Sequence, residues 1–186
     1  MKRVFDFLFS ILLLLILSIP MIIIGLLIKA TSRGDIIFWS DRVGVNNCLF
    51  KMPKYRTMEV NTPDVATHLL HMPENYYTPI GRLLRGSSLD ELPQLWTILS
   101  GKMSFVGPRP ALHNQNDLIQ LRTNYGIQKI KPGLTGLAQI NGRDELSIEE
   151  KVNLDKEYMI NRTFMYDLRV IALTLIKSLR SEGITH

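Results

Sequence analysis

The stretch ILSIPMIIIG (residues 16–25) lies in the middle of the longest apolar run of the chain and carries a proline, Pro20. Between Val4 and Ile28 the only charged residue is Asp6. A straight helix of about 25 residues, rising about 1.5 Å per residue, is long enough to cross a bilayer. The run is too long for the apolar part of a signal peptide, and no small-residue cleavage site follows it. We therefore expect the mature protein to retain this segment as a membrane anchor.

Pro20 predicts that the anchor is broken. A proline cannot donate a hydrogen bond to the carbonyl of Ile16, its ring crowds that carbonyl, and it biases Ile19 away from the helical conformation. The sequence thus predicts a break near Ser18 and Pro20. Because lipid offers the backbone no hydrogen-bonding partner, we also expect Ser18 to cap the second half by accepting from the Met21 amide.

The charges that flank the anchor have the same sign at both ends. Lys2 and Arg3 precede it, and Lys29 and Arg33 follow it. If positive residues stay on the cytoplasmic side, both ends lie there, as in a hairpin that enters the membrane and returns. The alternative, a kinked helix that crosses the membrane once, stays open because transmembrane helices tolerate proline.

Composition limits what the rest of the chain is able to be. With 186 residues, 46% of them hydrophobic, the part after the anchor is long enough for one domain with a buried core. The single cysteine, Cys48, excludes an internal disulfide framework and indicates a reducing compartment. The four histidines have no zinc-ligand spacing, and the sequence contains no P-loop, GxGxxG or HExxH motif.

The formal net charge is +5, but the basic residues do not form one run. They recur at turns and loops, which suits the binding of phosphate groups or of a lipid surface better than the binding of nucleic acid. We therefore expect no nucleic-acid partner. The recurring residues are Lys29, Arg33, Arg42, Lys51, Lys54, Arg56, Arg82, Arg85, Arg109, Lys131 and Arg143.

The segments just after the anchor predict a strand or hairpin and then a helix. Residues 35–58 are rich in β-branched and aromatic residues and are expected to end in a basic loop. Residues 60–80 are polar, contain three prolines, and predict an excursion over the surface. The helix that follows is expected to end at Ser100 and Gly101. Its apolar residues recur at helical spacing and are expected to face the core: Leu92, Leu95, Trp96 and Leu99.

The second half of the chain predicts shaped loops followed by two helices. SFVGPRPAL (residues 104–112) and IKPGLTGLAQINGR (residues 130–143) predict loops that join short extended pieces. Ser147 and Glu150 match a capping box, which predicts a helix to about Met159. A last amphipathic helix has an apolar stripe that suits either the core or a membrane surface. It is predicted from about Phe164 to Leu179, with the stripe Phe164, Leu168, Ile171, Leu175 and Leu179.

The stretch SSLDELPQLW (residues 87–96) holds two adjacent carboxylates, Asp90 and Glu91. Pro93 is tolerated only in the first turn of a helix, so the helix is expected to begin close to Asp90, where its positive end keeps an aspartate ionised. An ionised carboxylate near the arginines of the preceding stretch is able to attack phosphorus or to bind a divalent metal through oxygen. The alternative is that Asp90 is simply an N-cap.

A second Asp-Glu pair provides an internal comparison. Asp144 and Glu145 lie among other charges and are typical of a solvated helix entrance. The first pair instead lies among apolar residues and closely follows Arg82 and Arg85. The first pair is therefore the better candidate for chemistry.

Further basic positions are candidates for contacts with phosphates. Arg109 stands between two prolines in GPRP, a rigid turn that suits bidentate phosphate binding. Lys54 and Arg56 lie in KMPKYRTM, where they would meet lipid headgroups or a lipid phosphate. Arg143 follows a glycine-rich stretch. The alternative for each of these residues is that it does not bind phosphate but belongs to a structural turn or to the general basicity next to a membrane.

Asp167, a lone carboxylate in an apolar stretch, is expected to pair with an arginine.

Taken together and in this order, the proline-broken anchor and five motifs resemble the bacterial sugar transferases. The motifs are FKMPKYRTM, SLDELPQLW, MSFVGPRP, KPGLTGLAQINGR and FMYDLRV. More narrowly, they are similar to the small monotopic, PglC-like phosphoglycosyl transferases. The likeness covers nearly the whole chain, and several separated motifs in one order are far more specific than any one of them.

The resemblance implies a membrane enzyme that moves a phospho-sugar from a UDP-sugar to undecaprenyl phosphate and releases UMP. This is the first membrane step of glycoconjugate biosynthesis, and the sugar is expected to be N-acetylated. In that family the aspartate of the dyad is the nucleophile, a covalent phosphosugar intermediate forms, and Mg²⁺ is required. Those roles fall here on Asp90, with Glu91 as a base or as a second metal ligand. The phosphate contacts would be Lys54, Arg56, Arg82, Arg85, Arg109 and Arg143.

The expected architecture is a mixed α/β, mostly helical fold with amphipathic interfacial helices. Residues 1–30 would form the re-entrant membrane anchor, broken at Ser18 and Pro20, and residues 31–186 a single small catalytic domain. The resemblance implies a monotopic protein of the bacterial inner membrane whose catalytic domain lies on the cytosolic face, with downstream glycosyltransferases as partners. One departure is that Ile19 intervenes where the family usually has serine directly before the membrane proline.

A different class of function stays open on the residues alone. The same basic residues would also serve a non-catalytic membrane-anchored scaffold or a lipid-phosphate-binding subunit of a glycan assembly complex. A nucleotide-sugar transferase of the inverting or retaining type would need an Asp-x-Asp metal motif, which the sequence lacks.

Overall fold

The computed structural model describes residues 1–63, 72–142 and 145–179. It is 57% helical and forms one small domain, which confirms the predicted mixed α/β, mostly helical fold class. In chain order, the helices and strands are α1 (Lys2–Ile16), α2 (Ser18–Thr31), β1 (Ile37–Val43), β2 (Leu49–Tyr55), α3 (Gly81–Gly86), α4 (Gln94–Leu99), β3 (Ser104–Val106), α5 (Asn116–Asn124), β4 (Gly133–Thr135), α6 (Leu137–Ile140), α7 (Ile148–Asn161) and α8 (Phe164–Leu179).

The N-terminal apolar run forms two helices that meet at a sharp bend. α1 and α2 are inclined by 62°, and the residue between them, Leu17, has φ −91° and ψ 4°. Within the described ranges, no single helix has both the length and the apolarity to cross a membrane, whereas the bent pair together has both. Pro20 is the third residue of α2, in the turn where backbone amides have no acceptor within the helix, so it begins a new helix without losing a hydrogen bond.

The bend precedes the predicted position, and the expected serine cap is absent. Ser18 Oγ donates to the Leu15 carbonyl at 2.8 Å, and the Met21 amide donates to the Leu17 carbonyl at 2.9 Å. The prediction that Ser18 accepts from Met21 is therefore wrong. Leu17 departs only moderately from helical geometry, so its own carbonyl is in place for Met21 and the hydroxyl turns back to the preceding turn.

The start of α1 is tied to α8 at the other end of the chain. Lys2 Nζ lies 2.5 Å from Asp167 Oδ2, and Tyr158 donates its hydroxyl to Asp167 Oδ1 at 2.7 Å. The prediction that Asp167 pairs with an arginine is therefore wrong. The cation is a lysine 165 residues earlier in the chain, a distance over which local sequence patterns carry no information.

Both halves of the anchor dock on the same domain. In α1, Asp6 Oδ1 accepts hydrogen bonds from Ser104 Oγ at 3.1 Å and from the Phe105 amide at 3.2 Å. In α2, Ile28 is fully buried and packs in a cluster with Tyr55. The face of the helix pair that points away from the domain is apolar and exposed: Val4, Leu8, Leu12, Leu15, Ile16, Ile19, Ile22, Ile23 and Leu26.

The segment after the anchor folds as the predicted hairpin. β1 and β2 are antiparallel, with Ile37 opposite Tyr55 and Val43 opposite Leu49. The strand β2 extends further than predicted, so Lys51 and Lys54 lie in it rather than in a basic loop. Strand pairing along the whole of LFKMPKY overrides the loop preference that its basic residues indicate.

Two glycine-rich stretches bring their backbones into contact at a parallel strand pair. β3 pairs with β4, with Ser104 opposite Gly133. A Cβ atom on Gly133 would stand 2.1 Å from the amide nitrogen of Gly107, so no side chain fits between the two backbones. This close contact fixes the turn that carries Arg109. The predicted short extended pieces are confirmed as β3 and β4, but residues 137–140 of the second stretch form the helix α6 rather than a loop.

The core-facing side of α4 differs from the prediction at one residue. Leu95 and Ile98 are 2% and 0% exposed, whereas Trp96 is 58% exposed. In α4 the residues Gln94, Leu95, Thr97 and Ile98 are buried, and successive residues of a helix are turned by about 100°. Trp96, next to Leu95, therefore points outward, and the prediction that it faces the core is wrong.

The two last helices have the predicted starts, and the predicted stripe of α8 packs against the domain only in part. The capping box is confirmed: Ser147 Oγ accepts from the Glu150 amide, and Glu150 Oε2 accepts from the Ser147 amide. In α8, Asp167 and Val170 are buried, and Leu175 is 61% exposed. Of the predicted stripe, Phe164 contacts the ring of Phe5 and Ile171 packs against the core, whereas Leu175 points away from it.

Candidate active site

The adjacent carboxylates lie in a short 3₁₀ turn, Leu89–Glu91, between α3 and α4. Ser88 has a left-handed backbone, with φ +57°, which turns the chain sharply into this segment. Asp90 and Glu91 are only 4% and 8% exposed. Neither the turn nor α4 has a side-chain cap, so Asp90 is not an N-cap. The helix expected to begin at Asp90 begins at Gln94 instead.

Two cations from other elements bind the second carboxylate. Lys54 Nζ of β2 donates to Glu91 Oε1 at 2.8 Å, and Arg109 Nη2 donates to the same oxygen at 3.0 Å. Lys54 Nζ lies 3.9 Å from Asp90 Oδ2, which is beyond hydrogen-bond distance. The two neighbours thus differ: Glu91 holds the cations, and Asp90 lies beside them.

Burial and charge act in opposite directions on Asp90. Burial raises the pKa of Asp90 above its ordinary 3.8 and the Glu91 charge adds to the rise, whereas Lys54 opposes it more strongly than Arg85 and Arg109 do. For Lys54, burial lowers the pKa from 10.5, and the two carboxylates oppose that change. The surrounding cations, rather than the positive end of a helix, favour the ionised form of Asp90.

Asp90 lines a cavity of about 470 Å³, a size typical of small-ligand sites. We call it the cationic cavity, because basic side chains outnumber acidic ones in its wall. The acidic residues are Asp35, Glu59 and Asp90. The basic residues are Arg42, Lys54, Arg56, Arg85, Arg109, Arg122 and Lys151. Such a wall suits a ligand that carries several negative charges beside the buried carboxylate.

Arg56 lines this cavity, and two of its hydrogen-bond donors have no partner. Its Nη2 donates to Ser32 Oγ at 2.9 Å and to the Ser32 carbonyl at 3.3 Å. Its Nε and Nη1 are buried without a hydrogen-bond partner, although the residue is only 7% exposed. Because unpaired buried donors are costly, Arg56 is suited to receive an anionic ligand.

The structure brings four of the six predicted phosphate ligands to one cavity. Lys54, Arg56, Arg85 and Arg109 line it together with Asp90. Arg82 is exposed on α3 and does not line it. The sixth, Arg143, lies outside the described residues.

Sequence reasoning missed residues that support the cavity. Arg122 donates to Asp155 Oδ2 through Nε and Nη2, at 2.9 and 2.6 Å, and its Nη1 donates to the Arg109 carbonyl at 2.8 Å. Arg122 thereby holds the turn that presents Arg109. No local pattern reveals this pair, since its members are 33 residues apart. Arg42 also lines the cavity, and the sequence did contain a sign of it. Arg42 follows Ser40, another residue of the cavity wall, by two positions, and residues two apart share one face of a strand.

Gln139 is also part of the cavity wall and was not singled out in its motif. Both polar atoms of its amide group, Oε1 and Nε2, are buried without a partner. A neutral group that donates and accepts is suited to hydrogen-bond a polar, uncharged part of a ligand.

The carboxylates of the site are suited to bind Mg²⁺ only when a phosphate ligand supplies further oxygen ligands. Within the parts of the chain that are described, no three His, Cys, Asp or Glu side chains are grouped so as to hold a metal ion. Asp90 and Glu91 supply two neighbouring carboxylates. Mg²⁺ commonly uses one or two carboxylates and completes its six ligands with substrate phosphates and water, so the dyad fits that mode.

Comparison with known proteins identifies one family over nearly the whole chain. The model of the bacterial sugar transferase family matches residues 1–181. The sugar transferase EpsL of Bacillus subtilis (strain 168) is 39% identical over 186 residues, which are 99% of this chain and 90% of EpsL.

Longer relatives match through part of their length. The UDP-glucose:undecaprenyl-phosphate glucose-1-phosphate transferase of Escherichia coli (strain K12) is 37% identical over 95% of this chain, but this chain spans only 40% of that protein. The undecaprenyl-phosphate galactose phosphotransferase of Salmonella typhimurium is 33% identical over 98% of this chain and 41% of its own length.

Proposed function

This chain belongs to the bacterial sugar transferase family, and from that membership we propose that it transfers a sugar phosphate from a UDP-sugar to undecaprenyl phosphate and releases UMP. The relatives named above support the two substrates. The observation that carries the proposal is the buried carboxylate of Asp90 at the wall of the cationic cavity, two residues before Leu92, which packs against the cluster that includes Ile24 and Ile28 of the anchor. A water-soluble pyrophosphate and a lipid phosphate would both reach that position.

Asp90 acts as the nucleophile in this proposal. One of its carboxylate oxygens attacks the β-phosphorus of the UDP-sugar, the bond from that phosphorus to the bridging oxygen breaks, and UMP leaves with the bridging oxygen. The sugar phosphate is then bound to Asp90 through an acyl phosphate. A phosphate oxygen of undecaprenyl phosphate attacks the same phosphorus and releases the Asp90 carboxylate. The product is a sugar linked to the lipid through a pyrophosphate.

The basic residues align and neutralise the reacting phosphates. Attack by a carboxylate on an anionic phosphorus is repulsive unless positive charge surrounds it, and positioning supplies most of the acceleration of such transfers. Arg109 is held for this purpose by its bond to Glu91 and by the Arg122 contact to its carbonyl. Glu91 is a positioning residue here, because its carboxylate fixes Lys54 and Arg109 beside Asp90.

Asp90 and Glu91 would hold Mg²⁺ together with the phosphates of the donor. When bound, the ion would contribute positive charge that the pyrophosphate requires. Omission of Mg²⁺, with EDTA present, is expected to abolish UMP release, and titration of Mg²⁺ back is expected to restore it.

The anchor, residues 1–30, enters the membrane and returns in this proposal. Support comes from the docking of both its halves on one domain: Lys2 and Asp6 at the start of α1, and Ile28 near the end of α2. A helix pair whose two ends contact the same domain does not deliver them to opposite sides of a bilayer. The exposed apolar face of α1 and α2 would lie in lipid, with the catalytic domain on the cytosolic face of a bacterial inner membrane.

The most specific part of the proposal is the identity of the sugar in the UDP-sugar donor. An N-acetylated UDP-sugar is our expectation, whereas the relatives are named for glucose and galactose. A panel of UDP-glucose, UDP-galactose, UDP-GlcNAc, UDP-GalNAc and a UDP-bacillosamine, read out as UMP release, decides among them. The preferred donor is the one with the highest kcat/KM.

The decisive experiment looks for the covalent species. The purified protein is incubated with the preferred UDP-sugar without lipid acceptor, and peptides are analysed by mass spectrometry. We expect Asp90 to gain the mass of the phosphosugar and Asp90→Asn to gain none. Full turnover by Asp90→Asn would overturn the mechanism. Unchanged glycan assembly in cells that carry Asp90→Asn would favour the non-catalytic scaffold.

A further inference from the structure

A second hollow, of about 480 Å³, lies between the anchor and the hairpin; we call it the apolar groove. Its walls come from α2, from β1 and β2, and from the segment just after Asp90. The hydroxyl of Tyr55 is the only one among its lining side chains, and it donates to the Met21 carbonyl at 2.7 Å. The residues used below are Ile22, Gly25, Leu26, Trp39, Pro93 and Trp96.

The apolar groove adjoins the cationic cavity. Ile37, Trp39 and Tyr55 line both of them. Pro93, in the wall of the groove, follows Asp90, in the wall of the cavity, by three residues. A molecule with an apolar chain and an anionic head would therefore occupy the groove with its chain and bring its head to Asp90.

The other side of the groove meets the exposed surface of the anchor. Ile22 and Leu26 of α2 are 62% and 64% exposed, and Trp96 across the groove is 58% exposed. Exposed apolar side chains on an anchor helix indicate contact with lipid. A chain that resides in the bilayer would enter the groove along these side chains without passing through water.

We propose that the apolar groove receives the first isoprene units of the lipid acceptor, so that the acceptor phosphate lies beside Lys54 and Asp90. The inference rests on the proposed function and adds the site of the lipid chain. A polyprenyl phosphate suits the two adjoining hollows because its phosphate follows directly on its apolar chain. A phospholipid, in contrast, carries a glycerol diester between its chains and its phosphate, and these polar ester groups would have to lie in the apolar groove.

Substitution of Gly25 tests the groove from within α2. A Cβ atom at Gly25 would meet Ile36 Cγ2 at 3.5 Å, an ordinary contact, so the first atom of a side chain fits at this position. Because Gly25 and Ile36 both line the groove, Gly25→Leu adds bulk to its wall and narrows it. Ile23→Phe is the matched control, since it adds bulk to the same helix at a residue that does not line the groove.

The proposed reaction has two steps, and only the second, the transfer to undecaprenyl phosphate, requires the lipid. A defect in lipid binding should therefore affect the second step and not the first. We expect Gly25→Leu to raise the KM for undecaprenyl phosphate about tenfold, as for the loss of about two buried methylene contacts. In Gly25→Leu, UMP release in the absence of acceptor is expected to keep the rate of the unchanged protein. In Ile23→Phe, both this rate and the KM for undecaprenyl phosphate are expected to equal those of the unchanged protein. An unchanged KM in Gly25→Leu overturns the proposal.

Trp96→Ala covers the case in which Gly25→Leu disturbs the anchor. Trp96 is largely exposed, so its removal leaves the core intact while it opens one wall of the groove. If Gly25→Leu loses the first half-reaction as well, a raised KM for undecaprenyl phosphate in Trp96→Ala supports the proposal. An unchanged KM there overturns it.

A binding measurement separates this inference from the proposed function. A polyprenyl phosphate with a diazirine on its second isoprene unit is added to the protein in phosphatidylglycerol nanodiscs, and cross-links are mapped by mass spectrometry. We expect labels on groove residues that undecaprenyl phosphate removes by competition. If the labels appear on groove residues although no UDP-sugar yields UMP, the proposed function is wrong, but the assignment of the groove as a polyprenyl-binding site is retained. Labels outside the groove, or groove labels that undecaprenyl phosphate does not remove, overturn the inference.

Discussion

The ammonium of Lys54 donates a 2.8 Å hydrogen bond to Glu91 Oε1, and its distance to Asp90 Oδ2 is 3.9 Å. Arg109 binds the same oxygen of Glu91. Adjacent carboxylates in one 3₁₀ turn thus have different surroundings. Glu91 is neutralised by two cations, whereas Asp90 lines the cationic cavity, where the proposed function makes it the nucleophile.

The first prediction is that the two carboxylates respond differently to loss of charge. Asp90→Asn should abolish both UMP release and the covalent species. Glu91→Gln should lower kcat by about 10²-fold to 10³-fold, the usual cost of a disturbed electrostatic contact in an active site, while the covalent species still forms slowly on Asp90. Rapid-quench measurement of UMP release checks both variants.

Asp41→Asn is the control for these two variants. Asp41 pairs with Lys51 on the exposed side of the hairpin, so its neutralisation should leave UMP release unchanged. A covalent species that forms normally in Asp90→Asn, or one that is entirely absent in Glu91→Gln, would contradict the assignment of roles.

The second prediction concerns pH. Burial raises the pKa of Asp90, so its carboxylate becomes protonated, and the nucleophile is lost, at a higher pH than for an exposed aspartate. Burial lowers the pKa of Lys54, so its positive charge is lost below the usual 10.5. The rate of the first half-reaction should therefore be bell-shaped in pH and narrower than the ordinary pKa values imply.

Lys54→Met tests the sign of that coupling. Lys54 opposes the rise in the Asp90 pKa, so its removal should move the acidic limb of the profile to higher pH and eliminate the alkaline limb that belongs to Lys54. A shift of the acidic limb to lower pH would contradict the assignment.

The third prediction is that replacement of Gln139 stabilises the protein but weakens the binding of the UDP-sugar. An unsatisfied buried polar group costs about 1–3 kcal/mol, and both polar atoms of the Gln139 amide are in that state. Gln139→Leu should raise the free energy of unfolding of the unliganded protein by about 1 kcal/mol. If a UDP-sugar satisfies the amide, the KM for the donor should rise about tenfold, equivalent to the loss of about 1.4 kcal/mol.

Gln128 offers the matched control. Its Oε1 is also buried without a partner, but it does not line the cationic cavity. Gln128→Leu should therefore stabilise the protein without changing the KM for the donor. Equal KM values in the two variants would show that Gln139 does not contact the donor.

Sequence patterns predicted the elements that local chemistry determines. The hairpin, the capping box of Ser147 and the bounds of α8 follow from turn residues, caps and periodicity within a few residues. The candidate dyad was also visible, because its two adjacent carboxylates stand among apolar residues shortly after Arg82 and Arg85, although the helix start inferred from Pro93 was not at Asp90. What the patterns missed depends on distant residues: the Arg122–Asp155 pair, the Lys2–Asp167 pair and the outward direction of Trp96 are set by tertiary packing.

The fourth prediction concerns the tie between α1 and α8. Lys2→Met leaves the buried Asp167 carboxylate without its cation, and hydrogen bonds to charged groups contribute about 1.5–3 kcal/mol. The free energy of unfolding should fall by about that amount, measured by chemical denaturation in detergent. Combining Lys2→Met with Asp167→Leu should recover much of the loss, since the pair is then replaced by apolar groups. Equal losses in the single and double variants would contradict a coupled pair.

The last prediction concerns what holds the N-terminus on its side of the membrane. Pro20 prevents one continuous helix, but the described contacts of α1 provide a second restraint that does not involve the proline. Lys2 binds Asp167, and Asp6 accepts two hydrogen bonds at β3. Pro20→Ala alone should therefore leave the N-terminus on the cytosolic side.

The measurement uses a cysteine inserted after Met1, which is 97% exposed, in a Cys48→Ser background, with a membrane-impermeant maleimide added to intact cells and to inverted vesicles. Label should appear only in inverted vesicles for the parent and for Pro20→Ala. Arg3 also ties α1 to the domain, since it donates to the Ile98 and Leu99 carbonyls, both at 2.7 Å. When Pro20→Ala is combined with Lys2→Met, Arg3→Met and Asp6→Ala, the polar contacts of the N-terminus are removed together with the proline, and a straight helix would have the length that a bilayer requires. Label should then also appear in intact cells. If Pro20→Ala alone gives label in intact cells, the proline holds the topology and the contacts of α1 do not.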